Sequence, residues 1–261
     1  MKIGICTTVD QARTFAQAGF DYIEENVQSF LVPEEPESAF AAKLAAAQGS
    51  VLPVRAACCF LPGALKCTGP AVDLERIAGY ADSAFRRARQ AGIDIIVFGS
   101  GGSRQIPEGF NRATALDQFI ACVRRIAPLA EKQGVTVVIE PLNSKECNFI
   151  NSLAEGARVV ETVAHPQVWL LADIYHMLVD REPADEIITH GSSIHHVHVA
   201  ELEGRMAPGT SGEDFGPYLR ALAKIGYRGS LSYECFWKDF PQQAAACLSS
   251  FREQARQAGM V

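Results

Sequence analysis

The segments TVVIE (residues 136–140) and VWLLAD (residues 168–173) decide the fold class. Each is a short apolar run, typical of a strand that is buried on both faces, and each ends in a carboxylate. An amphipathic stretch long enough for a helix separates them. A strand, a helix and a second strand predict a parallel pair, because parallel strands need a crossover connection.

The same alternation extends outward to both ends of the chain. Glycine directly follows several helical stretches, as at Gly19, Gly92, Gly134 and Gly226, where a left-handed C-cap strains the backbone least. Eight such units in 261 residues predict a closed (β/α)8 TIM barrel that forms one domain over residues 1–261. A doubly wound open sheet is the alternative, although no glycine-rich phosphate fingerprint follows the first strand. The predicted strands are 2–6, 20–24, 52–58, 93–98, 136–140, 168–173, 194–200 and 230–234, and the predicted helices are 9–18, 36–47, 73–91, 112–133, 152–163, 183–190, 213–225 and 241–258.

The composition excludes several classes of protein. Hydrophobic residues make up 48% of the chain and charged residues 21%, which is typical of a globular fold. A formal net charge of −6 argues against a nucleic-acid partner, whose phosphates need clustered Lys and Arg. No apolar stretch is long enough to span a bilayer or to form a signal peptide, so we expect a cytoplasmic protein. Its eight cysteines then read as small buried residues rather than as disulfides or a zinc cage.

Four polar side chains fall at the ends of four consecutive predicted strands. They are Glu140, Asp173, His198 and Glu234. The carboxyl ends of barrel strands converge on one mouth, so these side chains should meet there. Three carboxylates and one imidazole suit a divalent cation, with Mn²⁺ or Mg²⁺ favoured and Co²⁺ or Zn²⁺ also able to bind. His196 shares a strand face with His198 but lies deeper, and is expected to support the site or the core.

These residues form part of a longer set of motifs, through which the whole chain resembles a known family. The chain is similar to the sugar phosphate isomerase/epimerase-like, or xylose-isomerase-like, TIM barrels, and within them to ketose 3-epimerases and hydroxypyruvate isomerases. The residues that carry the resemblance are Glu140-Pro141-Leu142-Asn143, Glu146, Asp173-Ile174-Tyr175-His176-Met177, His196-Val197-His198, Arg205 with Pro208-Gly209, and Glu234.

The resemblance implies a small carbohydrate substrate and one divalent ion, with Mn²⁺ expected first. In ketose 3-epimerases the counterparts of Glu140 and Glu234 are both metal ligands and the catalytic acid/base pair. The counterparts of Glu146, His176 and Arg205 hold the substrate oxygens. One carboxylate would remove a proton beside the carbonyl to give a cis-enediolate, and the other would return it from the opposite face. Barrels of this type often associate, so a homo-oligomer is compatible with the sequence.

The walls of the pocket are predicted from residues just beyond the strand ends. Phe60 and Trp237 are expected to form apolar walls against a sugar, and Glu24 and Glu25 could reach a substrate hydroxyl. The Gly- and Pro-rich segment 61–72 is expected to be a lid or a pocket wall. The turn 98–102 could cradle a phosphate, but it lacks the Lys-Ser/Thr ending of a P-loop and is read as a tight turn that borders the pocket.

Three other functions use the same scaffold. A dehydratase acting on a keto-inositol would need nearly the same site and would release water instead of an isomer. An apurinic endonuclease would hold three zinc ions and needs more than the six histidines of this acidic chain. A catalytically silent sugar-binding barrel would have no use for the acid/base pair.

Overall fold

The strands form a closed parallel barrel. A computed structural model describes residues 1–260, and within them eight strands pair in chain order, with the last strand paired to the first. The predicted TIM barrel is therefore confirmed. The strands are β1 (Lys2–Cys6), β2 (Tyr22–Asn26), β3 (Val54–Cys58), β4 (Ile95–Phe98), β5 (Thr136–Ile139), β6 (Val168–Asp173), β7 (Ile194–Val199) and β8 (Ser230–Tyr233).

Helices follow the strands and pack around the barrel. Each of the eight predicted helical stretches contains a helix, while two short helices, at Gly101–Arg104 and Ile174–Asp180, and a π-helical segment at Val27–Leu31 were not predicted. Short 3₁₀ turns occur at Val9–Gln11, Gly191–Ser193 and Glu203–Arg205. The α-helices are α1 (Ala12–Ala18), α2 (Glu37–Gln48), α3 (Leu74–Ala91), α4 (Gly101–Arg104), α5 (Arg112–Gln133), α6 (Leu153–Val163), α7 (Ile174–Asp180), α8 (Asp185–Thr189), α9 (Gly216–Lys224) and α10 (Ala244–Gln257).

The ends of the long helices are set by caps. The Asn111 side chain accepts a hydrogen bond from the backbone N–H of Thr114 and so caps the start of α5. Gly134 ends the same helix in the left-handed conformation, with φ 67°. Gly19 and Gly92 end α1 and α3 in the same way. These local signals explain why the bounds of α5 could be predicted to the residue.

The barrel interior is filled differently at its two ends. Toward the amino-terminal end, an apolar cluster fills the space, and the Tyr22 ring lies so close to β1 that a Cβ on Gly4 would come within 2.2 Å of it. Toward the carboxyl-terminal end, the inward positions are polar. The apolar interior cluster consists of Tyr22, Ala56, Cys58, Ile95, Val97, Val138 and Leu171. The buried polar side chains of the interior are therefore concentrated toward the carboxyl-terminal mouth.

Most of the cysteines are buried, as predicted from the sequence, with one clear exception. Within residues 1–260 all eight cysteines are unpaired and most are buried, as expected of small core residues. The Cys59 side chain is exposed instead, because it follows the end of β3. Across these residues, no helix is both long enough and apolar enough to cross a membrane.

Candidate active site

Four side chains with potential metal-ligand atoms, which we call the donor cluster, meet at the carboxyl-terminal mouth of the barrel. Glu140 directly follows β5, Asp173 ends β6, His198 lies in β7 and Glu234 directly follows β8. Their donor atoms all lie within 4.8 Å of one another. Asp173 and His198 are buried, while the Glu234 side chain keeps 23% of its surface exposed. The side chains at these four strand ends therefore meet at the mouth, as expected from their positions in the sequence.

The donor set fits a divalent cation. One carboxylate oxygen of Asp173, Oδ1, accepts hydrogen bonds from the backbone N–H groups of Tyr175 and His176 and caps α7. The other, Oδ2, is buried and has no hydrogen-bond partner anywhere in residues 1–260. Such an oxygen is costly to bury unless something positive meets it. The atoms around Oδ2 are also potential metal ligands. Among them, His198 Nδ1 lies 3.1 Å from Glu140 Oε1 and 3.6 Å from Glu234 Oε2.

Glycine at position 99 makes room for the Glu140 carboxylate. A Cβ on Gly99 would lie 2.0 Å from Glu140 Oε2, far closer than any real contact. The turn after β4 therefore has no side chain at the point where the carboxylate of the neighbouring strand folds over it. This is a packing reason for part of the glycine-rich turn, and it requires no phosphate.

The two glutamates of the cluster are shifted in opposite directions. Burial and the nearby charge of Glu234 raise the pKa of Glu140, although the hydrogen bond with His198 opposes this. Burial would also raise the pKa of Glu234, but the hydrogen bond and charge of His198 and the charge of Arg205 outweigh it and lower that pKa to about 2. Two carboxylates whose environments separate their pKa values are typical of an acid/base pair.

A cavity of about 340 Å³ opens directly above these donors. This volume falls in the range of about 300–1,000 Å³ that is typical of small-molecule pockets. Glu140 and Glu234 line it together with Glu146, His176 and Arg205, so the predicted substrate contacts share one cavity with the predicted acid/base pair. The remaining lining residues are Gln28, Cys59, Leu61, Gly63, Ser100, Gly101, Gly102 and Leu142.

Asn143 fixes the orientation of two of these lining side chains. It is buried, and its amide nitrogen lies 2.7 Å from His176 Nδ1 and 2.9 Å from Glu146 Oε1. Because the amide N–H₂ group is a donor, His176 Nδ1 accepts and its Nε2 is left to carry the proton. His176 is thereby set up to donate a hydrogen bond from Nε2.

Arg205 connects the two sides of the cavity. It lies at the end of the turn Glu203–Arg205 and forms a short ion pair with Glu234, while its Nη1 atom lies 3.4 Å from Glu146 Oε1. Its guanidinium also stacks on the Tyr175 ring, 4.6 Å from the ring centroid. These contacts hold a cationic donor beside the Glu234 carboxylate.

Comparison with known proteins shows which family this chain belongs to. A family model described as "Xylose isomerase-like TIM barrel" matches residues 12–254. The chain belongs to this family. It is 32% identical over 127 residues to the L-ribulose 3-epimerase of Methylomonas sp. (strain DH-1), which covers 48% of this chain and 43% of that protein. It is 35% identical over 121 residues to the D-psicose 3-epimerase of Ruminiclostridium cellulolyticum, which covers 46% of this chain and 41% of that protein.

A solved structure agrees with this placement over the full length of the barrel. The crystal structure of a D-allulose 3-epimerase from Methylomonas sp. superposes with a TM-score of 0.82 at 23% identity, covering 97% of this chain and 98% of that chain. At that identity the likeness concerns the fold. In sequence, the matched part of this chain spans less than half the length of the two curated relatives. The family resemblance inferred from the motifs is confirmed.

Four residues of this xylose-isomerase-like barrel that the sequence placed at the pocket do not line the cavity. Phe60 is fully buried in the core, stacked on Phe85 with ring centroids 5.4 Å apart, and forms no pocket wall. Trp237 packs behind β8 against Phe15, with ring centroids 5.9 Å apart. Glu24 and Glu25 are both buried and are absent from the lining of the cavity.

The roles of these two glutamates follow from their hydrogen bonds. Glu24 is buried beneath the donor cluster and bonds to His196 and His198. Glu25 is also buried, and it accepts a hydrogen bond from the backbone N–H of Val9. His196 is fully buried, as expected of a supporting or core histidine.

The remaining walls of the cavity come from loops. Gln28, in the π-helical segment after β2, donates to the carbonyl of Cys59, which itself lines the cavity. Leu61 and Gly63 also line it, so the segment 61–72 does contribute a wall. No strand or helix periodicity marks these positions, and only their closeness to strand ends could have suggested them.

The turn after β4 borders the cavity, but the neighbouring Arg104 brings no charge to it. Arg104 is fully buried and donates to the carbonyls of Phe98 and Ile150, so its charge does not reach the cavity. The interpretation as a tight turn at the pocket edge fits the structure better than a phosphate cradle.

A larger cavity, of about 550 Å³, opens at the opposite end of the barrel. It is lined by residues at the starts of strands, including Lys2, Arg55, Asp94 and Ser230. It lies away from the donor cluster, and in TIM-barrel enzymes the chemistry occurs at the carboxyl-terminal mouth. We therefore assign the candidate active site to the smaller cavity.

Proposed function

We propose that residues 1–261 act as a single domain that isomerises or epimerises a small ketose or keto-sugar with the help of one divalent ion. The observation that carries this proposal is the placement of Glu140 and Glu234. Both belong to the donor cluster and both line the cavity, so each could hold an ion and still reach a substrate. The sugar epimerases among the relatives support the same reaction class.

Glu140, Asp173, His198 and Glu234 would hold the ion, and Mn²⁺ or Mg²⁺ suits three carboxylates and one imidazole. A bound ion of this kind polarises a carbonyl and lowers the pKa of the adjacent C–H group. The unpartnered Oδ2 atom of Asp173 supports a cation at this position.

The chain's own residues would move the proton and hold the substrate. Glu140 and Glu234 follow strands β5 and β8, so they approach the cavity from different sides of the barrel mouth. One would remove the proton beside the carbonyl, and the other would deliver a proton to the opposite face. Arg205 and the Nε2–H group of His176 would donate hydrogen bonds to the oxygens on which negative charge develops.

The charge of the cavity favours a substrate without a phosphate group. Arg205 supplies a permanent positive charge among the lining residues, and it is already paired with Glu234 and Glu146. A phosphate would need further cations to offset the carboxylates that surround it. We therefore expect neutral sugars as substrates.

Proton NMR in D₂O tests the proposal. The Mg²⁺-loaded protein is incubated with ketoses, 3-keto-sugars and hydroxypyruvate, and deuterium incorporation beside the carbonyl is followed. Glu234→Gln should slow exchange by at least about 10²-fold, the lower range for losing a general acid or base. Glu203→Gln, an exposed carboxylate on the same mouth, is the matched control and should leave exchange unchanged.

The product distinguishes the outcomes. A deuterated epimer or isomer supports the proposal and identifies the reacting carbon. Loss of one water from the substrate would assign the dehydratase reaction instead. Full exchange in the Glu234→Gln variant would remove Glu234 from the mechanism.

A further inference from the structure

A buried hydrogen-bond network lies directly beneath the donor cluster. Its centre is the carboxylate of Glu24, in the middle of β2, which is 1% exposed. The side chains around it come from strands β2, β7 and β8 and are closed off from solvent. The other members are Tyr22, His196, His198 and Ser232, each 0% exposed.

Both oxygens of Glu24 accept hydrogen bonds. Oε1 lies 2.9 Å from His198 Nε2, and Oε2 lies 2.9 Å from His196 Nε2. Ser232 donates its hydroxyl to Oε2 at 2.6 Å, so Tyr22 must donate to Ser232, from which it lies 2.7 Å. The carboxylate is therefore fully satisfied without any contact with solvent.

The network could in principle be a second cation site, because one donor atom each of Glu24, His196 and His198 lie within 4.8 Å of one another. The contacts argue against this. Nitrogen–oxygen separations of 2.9 Å are hydrogen-bond lengths, and His196 also uses its second nitrogen, Nδ1, which lies 3.1 Å from the Ser230 hydroxyl. Each donor atom in this group already has a partner of the complementary type.

We propose that Glu24 is a positioning residue that orients His198 toward the donor cluster. The inference rests on the proposed function only in taking His198 as a ligand. By accepting from Nε2–H, Glu24 holds Nδ1 of His198 toward Glu140, Asp173 and Glu234. When an ion replaces the Nδ1 proton, Nδ1 would be the ligand atom and Nε2 would keep its proton for Glu24.

The rest of the network holds Glu24 itself in place. A carboxylate in a dry interior would turn toward any donor, and His196 and Ser232 fix its second oxygen. Partners of this kind typically change metal affinity by about 10- to 100-fold when they are removed. Glu24 should therefore act on ion binding although it does not touch the ion.

Glu24→Gln is the informative change because it keeps the shape and removes one acceptor. A glutamine amide can accept from one imidazole but presents N–H₂ to the other, so His196 or His198 must change tautomer. We expect Mn²⁺ binding, followed by electron paramagnetic resonance without substrate, to weaken by about 10- to 100-fold. Glu25→Gln is the matched control, since the neighbouring carboxylate is equally buried but bonds to backbone N–H groups, and its Mn²⁺ affinity should be unchanged.

A second readout separates positioning from simple loss of stability. Nitrogen-15 NMR of the Mg²⁺-loaded protein should show His198 with a protonated Nε2 in the parent protein and a changed nitrogen pattern in Glu24→Gln. A variant that merely folded less stably would keep the parent pattern in its folded fraction. Unchanged Mn²⁺ affinity and an unchanged His198 pattern in folded Glu24→Gln would overturn the proposal.

Two further outcomes keep the test decisive. Two Mn²⁺ ions per chain, falling to one in Glu24→Gln, would make Glu24 a ligand and overturn the positioning role. If Glu24→Gln does not fold, Ser232→Ala removes one bond to Glu24 and should weaken Mn²⁺ binding by about threefold, whereas unchanged binding would overturn the proposal. Because no sugar is present in these measurements, failure of the proposed reaction would not be mistaken for failure of this inference.

Discussion

Replacing Gly99 by alanine should disable the site while leaving the barrel folded. The new methyl group would lie 2.0 Å from Glu140 Oε2, where real Cβ contacts essentially never fall below 3.0 Å. The carboxylate oxygen must therefore withdraw by about 1 Å, a displacement that can reduce an enzyme's rate by about 100-fold. This corresponds to about 2.7 kcal/mol of lost transition-state stabilisation.

Two assays measure the effect. Deuterium exchange into the substrate reports kcat/KM, and Mn²⁺ titration reports whether the displaced carboxylate still binds the ion. Unfolding in urea should change little, because both close contacts of the new methyl group are with the Glu140 carboxyl and the nearest atom of any other residue, a Leu142 methyl, lies at 3.4 Å. Gly79→Ala is the control, since its added Cβ meets no atom of the described residues within 4 Å. Parent-like exchange and Mn²⁺ affinity in Gly99→Ala would refute this account of the turn.

Three other substitutions each test the role of one residue. Asp173→Asn keeps an oxygen to cap α7 but places N–H₂ at the cluster, so Mn²⁺ binding should fall by at least about 100-fold while unfolding in EDTA shifts by less than about 1 kcal/mol. Burial raises the pKa of Glu182 from its ordinary 4.5 to about 7, so its ionisation destabilises the fold as pH rises between these two values. Glu182→Gln should therefore raise Tm at pH 8 but hardly at pH 4. Gly4→Ala would press a methyl group into the Tyr22 ring and should lower the free energy of unfolding by about 1–3 kcal/mol in urea titrations.

The parts of the structure that could be predicted are those fixed by neighbours in sequence. The bounds of α5 follow from Asn111 and Gly134, which cap its two ends. The donor cluster could be predicted because a barrel brings every strand end to one mouth, so being at a strand end is enough to place a side chain. Glu140, Asp173 and Glu234 needed no knowledge of distant contacts.

The errors arise just beyond the end of a strand, or where a strand ends at a different residue from the predicted one. Cys59 adopts a left-handed conformation, with φ 57°, so the chain turns after β3 and directs Phe60 into the core. The predicted strand ended at Glu24, whereas β2 continues to Asn26, which moves Glu24 from the mouth into the barrel interior. Helix α7 was not predicted because Asp173 both ends β6 and caps that helix. Such outcomes depend on tertiary contacts that single-sequence periodicity does not contain.

The two halves of the barrel carry separate parts of the site. The four cluster donors come from β5 to β8, whereas Gln28, Cys59 and the turn after β4 form walls from the first half. Under the proposed function, exchanging loops of the first half between related barrels should change which substrate is accepted, while the second half keeps the residues proposed for the reaction. Glu24 of β2 contacts His198 of β7, so under its proposed positioning role a chimera of two such halves that lacks a glutamate at this position should bind Mn²⁺ about 10- to 100-fold more weakly.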